Sequence, residues 1–170
     1  MPRRLLARCH PDSIREFGTS AIQRYNDGIV AAGGGRSLAA IYLWGYAAEM
    51  ILKTAYFSAA GIGEATTLEM NSDIKPAINL GKSLGVSWPA VGQGHNVRAW
   101  AELLILERAT HPNPPAAYNT GFERAIQACG QRISQLWSET LRYHKNTPYP
   151  HEIRQIREAT EWLLVHAQVL

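Results

Sequence analysis

The sequence predicts an all-α protein, an antiparallel up-and-down bundle of about five main helices. Apolar residues recur at helical spacing through long runs, and no stretch alternates with the period of two that a half-buried strand requires. The glycines Gly33, Gly34 and Gly35 and the prolines Pro112, Pro114, Pro115, Pro148 and Pro150 fall between those runs, where they end helices rather than interrupt them.

Residues 1–11 read as a tail closed by Pro11, and residues 12–170 as a single helical domain. Asp12 or Ser13 is placed to cap a first helix over about 12 to 32, where Ile14, Phe17, Ala21, Ile22, Tyr25 and Ile29 form one stripe. The central run, from Arg36 to Ala60, is apolar nearly all round, as a helix packed on several sides must be. Gly45, Ala47 and Ala48 leave room there for a close neighbour. The only charges inside the run are Glu49 and Lys53, four residues apart with the acid first, the favoured order for a helical ion pair. The flanking Tyr46, Met50, Leu52 and Tyr56 imply that this structural pair is partly dry. Residues 61–73 read as a loop, 74–84 as a short helix with Pro76 in its first turn, and 85–94 as irregular. Asn96 caps a helix to about Arg108. A long helix is expected from about Ala116 to Leu141, then a connector through Pro150 and a last helix from about His151 to Val169.

Apolar residues make up 46% of the chain and charged residues 18%, a globular composition. The net charge of +3 comes from 13 arginines and four lysines against 14 acids. Arginine suits planar contacts with phosphate or carboxylate, which raises a nucleic-acid or nucleotide partner modestly. Cys9 and Cys129 are too few for a disulfide framework, and the first residues hold no apolar run of secretory type, so a cytoplasmic protein is expected. The central run is long enough to span a bilayer, but Glu49 and Lys53 each cost roughly 2.5–3.5 kcal/mol near its centre, which excludes a membrane reading.

Tyr42-Leu-Trp-Gly-Tyr-Ala-Ala-Glu-Met-Ile-Leu-Lys53 resembles the helix that marks HEPN-domain proteins, with Gly-Tyr-small-small-Glu followed by Leu-Lys. Gly94-His-Asn-Val-Arg-Ala-Trp-Ala-Glu-Leu-Leu104 is similar to that family's His-Asp-Leu helix start, with Asn96 in the Asp position. Trp137-Ser-Glu-Thr-Leu-Arg-Tyr143 is similar to its late Arg-Tyr segment. The resemblance implies a helical bundle that dimerises, and a role as RNA-cleaving toxin, as RNA or nucleotide binder, or as partner of a nucleotidyltransferase-like or antitoxin protein. The family's active RNases carry Arg-x4-6-His beside the dimer cleft. Here the gap from Arg142 is too short to His144 and too long to His151, while Arg4 and His10 fit the spacing only in the tail.

Arg142, His144 and Lys145 form the most chemically suggestive cluster. Arginine stabilises charge on a transferring phosphate, histidine acts as acid or base near neutral pH, and Tyr143 and Tyr149 offer faces for stacking bases. Basic residues at a helix end equally complement its dipole. Positions 142 and 144 diverge on a continuous helix, so catalysis by the pair needs a break between them. His95, ahead of the Asn96 cap, is a candidate ligand-facing residue. Cys9 with His10 lacks further zinc ligands and His111, His151 and His166 are scattered, so no metal or cofactor is expected. The sequence thus supports a non-catalytic HEPN-like module that binds RNA, a nucleotide or a partner protein. Its alternatives are a metal-independent RNase toxin and an interaction domain without a nucleic-acid role.

Overall fold

Ser13 opens the first helix, its hydroxyl accepting from the Glu16 amide at 3.2 Å. The computed structural model describes residues 13–89, 93–111, 118–143, 145 and 147–170, with the side chains of Gln93 and Arg142 also outside the description. The predicted tail, with Cys9 and His10, lies outside the described residues, as does His144.

Six α-helices occur among the described residues: α1 (Ile14–Gly33), α2 (Ser37–Ala59), α3 (Lys75–Ser83), α4 (Val97–Thr110), α5 (Thr120–Leu136) and α6 (Pro150–Val165). They form an all-α bundle. A tight turn, with Gly35 in the left-handed region at φ 74°, joins α1 to α2, so the two pack along each other. The opposite sides of α2 meet α4 and α6, and α5 closes against α4 and α6. This explains why α2 is apolar all round: Ala40, Ile41, Trp44, Ala47, Ala48, Ile51, Leu52 and Ala55 are all buried. No helix among the described residues is long and apolar enough to cross a membrane.

Indole rings lock the bundle. Trp44 is fully buried over Gly28, and its Nε1–H donates to the Tyr25 carbonyl at 3.1 Å. Truncating such a ring to alanine costs about 3–5 kcal/mol. Gly45 receives not a neighbouring helix but the ring of Trp137, whose Nε1–H donates to the Tyr42 carbonyl at 3.1 Å.

That contact shortens the helix expected over 116–141. Trp137 turns extended, φ −134° and ψ 139°, to lay its indole on α2, and α5 therefore ends at Leu136. A 3-10 turn, Glu139–Tyr143, follows. The 61–73 loop is tied to the start of α1 by an isolated bridge between Ser13 and Thr67 and ends in a π-turn, Met70–Ile74, that leads into α3. The last helix stops at Val165 rather than 169.

Candidate functional site

Glu49 and Lys53, one helical turn apart on α2, form the dry pair the sequence predicts. Nζ lies 2.5 Å from Oε1, and the side chains are 4% and 7% exposed. Burying two charges is favourable only if their remaining hydrogen-bonding capacity is met. The Lys53 ammonium lies 5.4 Å from the centre of the Trp100 ring. The carboxylate is completed by His95, whose Nδ1 lies 2.9 Å from Oε2 and 3.2 Å from Oε1.

His95 is held where it can do this. Asn96 caps α4, its side chain accepting from the Ala99 amide at 3.0 Å, and Trp100 Nε1–H donates to the Gly94 carbonyl at 3.0 Å. Tyr46 meets the imidazole edge-on and meets Trp137 in the same manner, so the rings link α2, the start of α4 and the turn after α5. The hydrogen bond to Glu49 raises the pKa of His95. Burial and Lys53 oppose that shift, while the charges of Glu49 and Glu139 reinforce it. The ring is 38% exposed and lines a cavity of about 320 Å³ with Asn96, Arg98, Ser134, Trp137, Ser138 and Glu139.

A second cavity, about 430 Å³, lies on the other side of the 3-10 turn. Leu38 and Ile41 of α2, Gln135 and Leu136 of α5, Leu141, and residues of the connector through Glu152 line it. Tyr149 precedes α6, with its backbone N–H donating to Glu152 Oε2 at 2.7 Å, and its ring stacks on His151 with centroids 5.7 Å apart and planes 10° apart. Tyr143 and Tyr149 are 72% and 66% exposed. Lys145 is exposed as well.

The structure thus separates the residues singled out in the sequence. Tyr143 ends the 3-10 turn and Lys145 and Tyr149 follow it in the connector, whereas His95 joins Glu49 and Lys53. Arg142 lies within the 3-10 turn, but its side chain and the whole of His144 lie outside the described residues. Sequence reasoning missed the His95–Glu49 contact and the roles of Arg98, Ser134 and Glu139 as cavity walls. The Asn96 cap beside His95 was the only local signal. Among the described residues no three His, Cys, Asp or Glu side chains gather as a metal site, and burial pushes the free Cys129 thiol up to about 11, leaving it protonated and unreactive at neutral pH. In comparison with known proteins, the chain matches no family model, no curated protein and no solved structure.

Proposed function

We propose that the chain is a HEPN-like helical module that binds RNA or a nucleotide without cleaving it, at the face formed by the connector between α5 and α6. The observation that carries this reading is Tyr149, largely exposed on the wall of the 430 Å³ cavity, with Tyr143, also largely exposed, and Lys145 a few residues before it in the chain. A largely exposed tyrosine ring presents apolar surface to water, and a base stacked on it removes that surface at about 1–3 kcal/mol per base. Lysine and arginine near such rings supply the contacts to phosphate.

The same reading takes the protein to be cytoplasmic and homodimeric. The free thiol of Cys129 agrees with a reducing compartment. Exposed Ile22 and Val30 on α1 and Val165 on α6 offer apolar surface for a second copy. A nucleotidyltransferase-like or antitoxin protein is the alternative partner for that surface.

The test is binding of a short single-stranded RNA over a salt series. Affinity is expected to fall with salt at a log–log slope near −0.7 per phosphate contact. Tyr149→Ala is expected to weaken binding by about tenfold, the equivalent of one modest stacking contact. Binding that is absent at low salt, or that ignores both salt and the substitution, rejects the reading.

A further inference from the structure

The cavity beside His95 differs in chemistry from the connector face. Its charged lining residues are His95, Arg98 and Glu139, and together with the partners behind them the charges balance when His95 is protonated: Lys53 and His95 offset Glu49 and Glu139, and Arg98 is paired with Glu102, Nε to Oε1, at 2.7 Å. A phosphate entering it gains no net attraction and meets Glu139 on the wall. What the walls do offer is a mixture of donors and acceptors around a neutral occupant. The imidazole has Nδ1 committed to Glu49, which leaves Nε2 as its remaining ring nitrogen. Arg98 commits one of its five N–H donors to Glu102. Ser134 and Ser138 add hydroxyls, and Glu139 adds a carboxylate.

Among nucleobases this set selects one. Guanine presents two adjacent acceptors, O6 and N7, which suit cationic donors such as Arg98 and protonated His95. Its N1–H and N2–H groups lie side by side and match the two oxygens of a carboxylate. Adenine and cytosine each offer an amino group beside an acceptor, and uracil a single N–H between two carbonyls, so each of them leaves part of the carboxylate unpaired. We infer that the 320 Å³ cavity is a guanine-base site, with Glu139 reading the Watson–Crick edge and Arg98 and His95 reading the acceptor edge. The inference rests on the proposed RNA or nucleotide ligand for its biological meaning, and the Glu139–Tyr143 turn joins the two faces: Glu139 lines this cavity and Leu141 the other.

The groups around His95 also fix the pH dependence. Glu49 and Lys53 face it from α2 together with the Tyr46 ring, Glu139 faces it from the turn after α5, and Arg98 shares its cavity from α4. Guanine binding is therefore expected to weaken as pH rises through the His95 titration, when one donor to the acceptor edge is lost.

The experiment is calorimetric titration of the intact chain with GMP, IMP, AMP and UMP at equal ionic strength. GMP is expected to bind about tenfold or more tightly than AMP and UMP, with IMP, which lacks N2, falling between. Glu139→Gln, an alteration on a partly exposed turn, is expected to bring GMP down to the level of IMP, and His95→Gln to remove the pH dependence. Equal affinities for the four nucleotides, or discrimination that survives Glu139→Gln, overturns the guanine site. RNA binding at the connector without base preference sinks this inference and leaves the binding module standing. Selective GMP binding without affinity for RNA keeps the guanine site and restricts the module to nucleotides. Absence of all binding removes both.

Discussion

Glu49 is shared by two basic side chains, Lys53 and His95. Lys53 is held at 2.5 Å and is nearly as buried as the carboxylate, whereas His95 is partly exposed and titrates. Lys53→Met should cost about 3–5 kcal/mol in denaturant unfolding, because it strips a buried carboxylate of its fixed counter-charge. The loss should shrink in acid, where the imidazolium takes over that role. Replacing Glu49 and Lys53 together with apolar residues should restore most of the stability, and equal small losses in single and double variants would mean the pair is wet. His95 itself follows from linkage. Its pKa is raised in the folded state, so its contribution is fully present below the unfolded value of about 6.5 and disappears as pH rises through the folded value. Unfolding midpoints of the parent and His95→Gln should therefore differ more at pH 5.5 than at pH 8.5, and the opposite trend contradicts the assignment. The Glu49–Lys53 pair was legible in sequence because helical geometry places i and i+4 together. His95, 46 residues from Glu49, reaches it only through the packing of α4 on α2.

At the scale of elements, the end of α5 shows what periodicity misses. Ile133, Leu136, Trp137 and Leu141 continue a helical stripe, yet Trp137 leaves the helix because Gly45 offers its indole a flat seat and the Tyr42 carbonyl offers it an acceptor. Glycine at 45 signalled a close approach, but not whether a backbone or a ring would use it. Helix propensity alone predicts that Gly45→Ala stabilises α2 by about 0.8–1 kcal/mol. The packing predicts the opposite, because an added Cβ overlaps the Trp137 ring and overpacking costs about 1–3 kcal/mol. Thermal unfolding should thus show a lower midpoint for Gly45→Ala, and a higher one would mean that the ring is not seated as described. The caps were read more easily: Ser13 and Asn96 both accept the amide three residues on, a local interaction that needs no tertiary contact.

For the whole molecule, the all-α class and the central place of α2 were visible in the unbroken apolar run, since a helix without a polar face must be covered on every side. The two cavities were not visible, because each draws its walls from helices far apart in sequence. The proposed homodimer predicts a single two-chain species in sedimentation at micromolar concentration, weakened by Val30→Glu; a monomer throughout removes it. The absence of catalysis is tested with a mixed RNA pool. The parent should leave the pool intact, and cleavage that both Arg142→Ala and His144→Ala abolish while RNA binding persists would replace the binding module with a metal-independent endoribonuclease. The central claim is that the connector face holds the RNA, and photocrosslinking tests it most directly. With single-stranded RNA carrying 4-thiouridine, crosslinked peptides should map to the segment from Tyr143 to His151. Crosslinks confined to the outer surface of α1, or none at a concentration where RNA is bound, would contradict it.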